Sequence, residues 1–509
     1  MADSSSFDQL SCGVQRWIYR QGWEELRAIQ ERSVPVVARA SEDILITAPT
    51  AGGKTEAAFL PIISWLEDDG PESGYGVLCL SPLKALINDQ YKRLLPLCES
   101  ADTAITPWHG DVSTSVKAKS WRSPQGILMI TPESLEAMFV RRPHELRERM
   151  RKIRYVVIDE FHAFIGRDRG QQLLSLIARL EELVEQSLCR IALSATIGDP
   201  EMALRYLRPA GGRPGVHLEV AHEGMNLQLS LKSFSPDEAA GLPETVAMAK
   251  DLYPVLKGHS NLVFANSRRV VEEITDQLSG ICEAHLAPVE FFAHHGSLSK
   301  DSRHFVEHRL KEGELPTTAI ATSTLELGID IGDVVSVAQV GAPANVSSVR
   351  QRLGRSGRRA GSASILRVLV TEHGKKKDAT PIDRLEVELF QAVAVLELML
   401  ERWVEPPSGD ALHLSTLVQQ ILSMIAYTGG ITAAEAFRVL CGTGPWRHVD
   451  QALFVRVLRA LGANEVVAQL GSGELTVGAV GEQILSSHTF YTAFEVPEEF
   501  SLVAFGKTI

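Results

Sequence analysis

Cysteine is sparse and scattered. The six cysteines, at 12, 79, 98, 189, 282 and 441, include no C-x-x-C pair, which excludes a zinc ribbon or an iron–sulfur cluster built on one. Cys79 and Cys189 sit in apolar, strand-like runs, so the thiols read as small core hydrophobes in a reducing cytoplasm. No apolar run approaches the ~20 residues that a membrane span needs. Met1 to Gln9 is small and polar, not a basic-then-apolar leader. No membrane partner is expected. Excess positive charge is also missing: the net charge is −12. That excludes a histone-like polycation but leaves room for a local basic groove that holds nucleic acid. The 509 residues allow roughly three domains, each with its own core.

What is present centres on Ile44-Leu45-Ile46-Thr47-Ala48-Pro49-Thr50-Ala51-Gly52-Gly53-Lys54-Thr55. An apolar run ends in a small-residue loop, and Lys-Thr then opens a run of helix formers. Strand, loop and helix N-terminus follow in the order a nucleoside triphosphate site needs. Small residues let the backbone wrap the phosphates, the helix dipole faces the anion, and Lys54 adds a full charge. Thr55 is placed to put its hydroxyl on Mg²⁺. The strict G-x-x-x-x-G-K-[ST] pattern wants Gly at position 48, where this chain has Ala48. Upstream, Gln30 is either a polar residue on an amphipathic helix or, with the loop at this distance, a donor and acceptor for an adenine edge. The second reading is preferred.

Short Val/Ile/Leu runs then alternate with amphipathic stretches. Strands are expected at 76–81, 104–109, 126–130, 154–159 and 189–194. The rhythm restarts at 261–265, 289–294, 317–322, 334–340 and 364–371. Such βα repetition implies parallel sheets covered on both faces, here two α/β domains in tandem. The stretch 209–260, opening on Pro209, Gly211, Gly212, Pro214 and Gly215, carries the joint. The boundaries are set at residues 1–215, 216–382 and 383–486, with 487–509 opening a further, incomplete domain. The third segment starts with one long helix, 384–402. Helical stretches at 412–427, 432–441 and 449–461 and a hairpin around Gly471-Ser472-Gly473 follow, a winged-helix pattern. Ser501 to Phe505 reads as a strand with no visible partner.

Val156-Val157-Ile158-Asp159-Glu160 is an apolar strand ending in two carboxylates. Asp159 suits Mg²⁺, directly or through water, and Glu160 suits polarising an attacking water. Alone, the pair would read as a helix cap; the phosphate loop reverses that. Ser194-Ala195-Thr196 closes the next strand with two hydroxyls that can relay hydrogen bonds. The run Gln351-Arg352-Leu353-Gly354-Arg355-Ser356-Gly357-Arg358-Arg359 is a solvated face unless it meets an anion. Across a cleft from Lys54, Arg355 and Arg358 would act as arginine fingers on the departing γ-phosphate.

In order and spacing, these motifs resemble the superfamily 2 helicases. Pro82-Leu83-Lys84-Ala85-Leu86, Thr131-Pro132-Glu133-Ser134-Leu135 and the run from Ala321 to Asp330 resemble that family's nucleic-acid-facing motifs, as does Phe264-Ala265-Asn266-Ser267-Arg268-Arg269. Phe161-His162 after Asp-Glu, together with Leu325-Glu326-Leu327-Gly328-Ile329-Asp330, resembles the Lhr-type (large helicase-related) group. So does Phe490-Tyr491-Thr492-Ala493-Phe494-Glu495-Val496-Pro497-Glu498-Glu499. The resemblance covers nearly the whole chain.

It implies two RecA-like domains followed by a winged helix, with ATP and Mg²⁺ as cofactors. Gln30, Thr50, Ala51, Gly52, Gly53, Lys54, Thr55 and Asp330 would bind the nucleotide, and Thr55 with Asp159 the metal. Glu160 would be the base, and Gln351, Arg355 and Arg358 would meet the γ-phosphate. Lys84, Thr131, Asn266, Thr322 and Ser323 would lie along a sugar-phosphate backbone. His162, Ser194 and Thr196 would couple ATP state to strand contacts. The implied activity is ATP-driven translocation 3′ to 5′ on single-stranded DNA, with unwinding of DNA or RNA:DNA duplexes. Repair and phage defence are both compatible pathways. An RNA helicase, or an ATP-binding clamp without processive motion, is the alternative. Group members continue into a large further domain, so the chain reads either as a piece of a longer protein or as a subunit whose missing domain a protein partner supplies. Among weaker signals, Lys375-Lys376-Lys377 reads as a solvated loop, Trp446 as core, and His294-His295 as no metal site.

Overall fold

The structure, a computed structural model, describes residues 6–48, 52–195, 197–219, 226–235, 243–326, 332–357, 363–372, 380, 383–406, 411–494, 503–504 and 507–508. Seven strands form the first sheet: β1 (Asp43–Thr47), β2 (Gly74–Leu80), β3 (Ile105–Trp108), β4 (Gln125–Ile130), β5 (Tyr155–Ile158), β6 (Cys189–Ser194) and β7 (Gly215–Glu219). All are parallel, in the order β3-β4-β2-β5-β6-β1-β7. Alternate residues of each strand feed two different cores. Ile44, Ile46, Val77, Cys79 and Val157 pack on one face, and Leu45, Leu78, Leu80, Val156 and Ile158 on the other. That is why the runs are continuously apolar: both faces are under helices.

The second sheet has β8 (Leu227–Phe234), β9 (Asn261–Ala265), β10 (Phe291–His294), β11 (Thr318–Ala321), β12 (Ser336–Val340) and β13 (Ser364–Thr371). It too is parallel, ordered β10-β11-β9-β12-β13-β8. Leu262, Phe264, Val337 and Val368 line one face, and Val263, Ala265, Ala338 and Leu369 the other.

The third unit runs from helix Leu414–Thr428 through β14 (Ile431–Thr432) and helix Ala433–Phe437 to helix Gln451–Ala463. The hairpin β15 (Val467–Gln469) and β16 (Glu474–Val477) follows, and the three short strands pair as β14-β16-β15. This is the helix-and-hairpin order read from the sequence. Trp446 lies fully buried in its core, as read.

Three boundaries move. The first sheet runs to Glu219 rather than 215, because β7 pairs along the whole of β1. Helix Val387–Leu400, expected to open the third unit, buries Ala392, Val395, Leu396 and Met399 in the second domain's core. Residues 487–494, expected to begin another domain, close the third unit's core instead. Phe490 is fully buried there, and the Gln419 amide donates to the Phe490 and Thr492 carbonyls at 2.6 Å each. Val503–Ala504, expected to lack a partner, pairs antiparallel with Lys507–Thr508.

Candidate active site

In the first sheet β5, β6 and β1 are neighbours, although more than a hundred residues separate β1 from β5 in sequence. The phosphate loop leaves the C-terminal end of β1, the carboxylates leave β5, and Ser194 ends β6 between them. Parallel topology therefore gathers three distant motifs on one edge. β2 and β4 continue that edge, followed by Lys84 and Thr131.

The loop's close fit has a measurable cause. Gly53 has φ +84°, and a Cβ there would stand 2.9 Å from Gln30 Nε2. Gln30 is itself buried; its Oε1 accepts from the Arg27 amide at 2.9 Å. Lys54 opens helix Lys54–Asp69 and is buried with Glu160, its Nζ 3.5 Å from Glu160 Oε1. Glu160 has φ 47° and ψ 49°, a left-handed conformation that non-glycine residues seldom adopt. Such an outlier at a strand end marks a side chain held for a task. The Glu160 amide donates to Asp159 Oδ1 at 3.0 Å.

Gln90, on helix Lys84–Ser100, donates at 3.3 Å both to Thr55 Oγ1 and to Asp159 Oδ2. Hydroxyl and carboxylate therefore converge on one point. Hard oxygen donors in that arrangement fit Mg²⁺. Burial raises the Asp159 carboxyl to about 6, with the Glu160 charge adding and Lys54 opposing. A cation beside it would restore the ionised form. Burial also pushes Glu160 upward, but Lys54, His162 and Arg355 together hold it below its ordinary value. Arg355 belongs to the second domain, so both domains set the charge on Glu160. His162 is lowered, chiefly by burial; its Nδ1 lies 3.0 Å from Ser194 Oγ and 3.5 Å from Glu160 Oε2.

In the second domain Gln351 lies half-buried on helix Val346–Leu353, and Arg355 just beyond it donates at 2.8 Å to the Glu326 carbonyl. Asn266 follows β9, and Thr322 and Ser323 follow β11, so these candidates share that sheet's C-terminal edge. Two first-domain candidates are already engaged. Lys84 Nζ lies 3.4 Å from Asp111 Oδ1, and the Thr131 hydroxyl caps helix Pro132–Arg141. Thr50, Ala51, Thr196, Asp330 and Arg358, with the Lys375–Lys377 run, lie outside the described residues. His294 and His295 pair with Glu307 and Glu272, and no cluster fit to hold a metal through His, Cys, Asp and Glu occurs among the described residues. Sequence reasoning missed Gln90, whose one signal is an amide on the inner face of the helix after β2. It also missed Glu326 and Arg352 as a pair, 2.8 Å apart.

Residues 27–203 match the DEAD/DEAH box helicase family and 245–360 the helicase conserved C-terminal domain, together over half of the chain. The chain is 30% identical over 515 residues to the Lhr helicase/uracil glycosylase of Escherichia coli, across 89% of this chain and 32% of that one. It is 32% identical over 475 residues to the ATP-dependent helicase Lhr-Core of Methanothermobacter thermautotrophicus, across 89% and 53%. The solved Mycobacterium smegmatis helicase Lhr, bound to ssDNA and AMP-PNP, overlays with a TM-score of 0.77 at 28% identity, across 94% and 62%. The DUF1998 helicase MrfA bound to DNA and AMPPNP shares the fold, with a TM-score of 0.72 at 22% identity, across 96% and 63%. The chain spans about a third to a half of the length of the two curated relatives. No described helix is long and apolar enough to cross a membrane. With its two parallel sheets, its carboxylates on the edge shared with the phosphate loop, and these relatives, the chain belongs to the Lhr-type group of superfamily 2 helicases.

Proposed function

We propose that the chain is an ATP-driven translocase and helicase on single-stranded nucleic acid, DNA in the first instance, moving 3′ to 5′. The observation that carries this reading is the edge on which Lys54 Nζ lies 3.5 Å from Glu160 Oε1 and Gln90 joins Thr55 to Asp159. Arg355 of the second domain adds to the charges that hold Glu160 below its ordinary value. A site completed from two domains opens and closes with each turnover, which makes it a motor.

In this reading Gln30 meets adenine and Lys54 leaves Glu160 for the β- and γ-phosphates. Thr50, Ala51, Gly52 and Gly53 offer backbone amides, and Asp330 completes the nucleotide contacts. Thr55 and Asp159 would hold Mg²⁺, which when bound neutralises charge building on the phosphate oxygens. Glu160 orients the attacking water and accepts its proton; Arg355, Arg358 and Gln351 stabilise the γ-phosphoryl group as its bond to the β-phosphate oxygen breaks. His162, Ser194 and Thr196 link that chemistry to a strand lying along Lys84, Thr131, Asn266, Thr322 and Ser323. Contacts of this kind grip the backbone without reading bases. The third unit serves as a winged helix beside the strand. Intact Glu160 and Arg355 favour turnover over a passive clamp.

The test is ATP turnover with and without single-stranded DNA, single-stranded RNA and duplex. Glu160→Gln should keep nucleotide binding and lose hydrolysis. Arg355→Ala should leave ATP affinity nearly intact and cut turnover about 10³-fold, the scale of an arginine finger. Parent-like turnover in Arg355→Ala would overturn the two-domain site.

A further inference from the structure

We propose that Gln339, which touches neither nucleotide nor strand, is the positioning residue that ties strand occupancy at Asn266 to the placement of Arg355. The inference rests on the function proposed above. Gln339 sits in the middle of the second sheet, on β12 between β9 and β13, and is 1% exposed. A buried amide in an apolar strand is costly unless its hydrogen bonds are met. Here both ends are engaged, and they point to different motifs.

The Nε2 end donates to Asn266 Oδ1 at 3.1 Å and to the carbonyls of Val340 and Gly341 at 3.0 and 3.2 Å. Asn266 donates in turn to the Ala342 carbonyl at 2.8 Å. The turn is tight: a Cβ on Gly341, whose φ is +85°, would stand 2.7 Å from Asn266 Nδ2. The Oε1 end accepts from Arg352 Nη1. Arg352 is itself buried, lies 4.8 Å over the Phe264 ring, and donates through Nε and Nη2 to Glu326 Oε2 at 3.2 and 2.8 Å. The other Glu326 oxygen takes the Ser348 hydroxyl, and its carbonyl takes Arg355 Nη2 at 2.8 Å. Arg355 acts on Glu160 across the cleft.

The series Asn266, Gln339, Arg352, Glu326, Arg355 is thus continuous in hydrogen bonds, and Arg355 at its end faces the catalytic carboxylate only through its charge. Glu326 also stands three positions after Ser323, and its amide donates to the Ser323 carbonyl, so Ser323 reaches it through the chain and Asn266 through Gln339. A strand that draws Asn266 toward its backbone shifts the acceptor that Gln339 has for its amide. The guanidinium of Arg352 then follows, carrying the Glu326 segment on which Arg355 rests. A contiguous network earns the name of coupling only if its middle can be cut without harming either end.

The experiment makes Gln339→Leu and the isosteric Gln339→Glu, which keeps the acceptor for Arg352 and loses the donor to Asn266. For each, turnover is measured without strand and with saturating oligothymidylate, alongside oligothymidylate affinity, the KM for ATP and the melting temperature. The expected result is strand-free turnover and oligothymidylate affinity within about threefold of the parent, with stimulated turnover lowered about tenfold, inside the usual range of site-to-site coupling. Gln339→Glu should lose stimulation too, because the link fails on the Asn266 side. Parent-like stimulation in both variants would overturn the relay. So would a uniform loss of strand-free turnover, strand affinity and melting temperature, the signature of a merely structural residue. A parent whose turnover no strand stimulates would overturn the functional reading itself, and the relay with it.

Discussion

Against the third unit, the first domain turns a buried charged pair; against the second domain, it turns an edge of catalytic side chains. Glu136, fully buried on helix Pro132–Arg141, accepts from Arg179 at 3.1 Å, Gln172 at 3.1 Å, Gln420 at 2.5 Å and the Ser423 hydroxyl. Two of those donors belong to the third unit. A carboxylate has about four lone-pair sites, and here all are taken. Around this centre Asp168 meets His413 and the Thr416 hydroxyl, Gln172 donates to the Tyr491 carbonyl, and Arg141 to the Tyr491 hydroxyl. At the catalytic edge the described influences between first and second domains are longer-range: Arg355 on Glu160, Glu326 on His162 and Lys300 on His109. A close backbone approach also occurs at Gly198, which packs on Val404 beside the Glu405 that caps the second domain's helix Val346–Leu353. Buried, short-range hydrogen bonds resist sliding, whereas charges facing across a cleft tolerate a change in distance. The third unit should therefore travel with the first domain while the second domain swings.

The largest effect is expected from cutting the buried pair. Arg179→Met leaves the Glu136 charge with three neutral donors, and breaking such a pair costs about 3–5 kcal/mol. The low end applies here, because those donors remain. Denaturant unfolding should register that loss, and Arg179→Met combined with Glu136→Gln should recover most of it. A loss under about 1 kcal/mol in the single variant would remove the lock from the comparison.

Motion sharpens the comparison next. Cys12 is exposed and the other five cysteines are buried, so one introduced thiol completes a dye pair. With Lys257→Cys on the second domain, a nucleotide analogue plus a strand should change energy transfer to Cys12. With Glu482→Cys on the third unit, the signal should stay flat. Equal changes in both pairs would show that the third unit does not ride on the first domain.

Sequence patterns reached one side of this comparison and not the other. Most strands of both sheets announce themselves as short Val/Ile/Leu runs, and the catalytic groups Lys54, Asp159, Glu160 and Ser194 follow the ends of such runs and are legible. The strand β8, Leu227–Phe234, is not, because its leucines alternate with polar residues at the end of its sheet. Glu136, Arg179 and Gln420 look like ordinary polar positions on three helices; only tertiary packing brings them together inside the protein. Gln339 fails for the same reason, since nothing local separates a buried strand amide from an edge one. The Gly215–Glu219 strand was lost because it opens directly on the Pro/Gly cluster taken as the joint. Residues 487–494 are ambiguous in sequence because their apolar side chains are as suited to closing a core as to starting one.

The smallest effect tests the rim of the same interface. Arg438 of the third unit and Glu182 of the first domain pair at 2.6 Å, with their side chains 51% and 45% exposed. The Arg438 hydrogen bond, against a smaller burial effect, holds the Glu182 carboxyl below its ordinary 4.5. A depressed folded pKa means that the contribution is complete above the unfolded value and fades as pH falls through the folded one. Solvent screens a pair this exposed, so its worth is a few tenths of a kcal/mol. Arg438→Ala should lower stability by that amount at pH 7, by less as the pH approaches 4, and by less again in about 0.5 M salt, where the Debye length shrinks to roughly 4 Å from about 10 Å at 0.1 M. A loss above about 1 kcal/mol at pH 7, or one that ignores pH and salt, would place the rim beside Glu136 as part of the lock. The centre and edge of the interface would then no longer differ in kind.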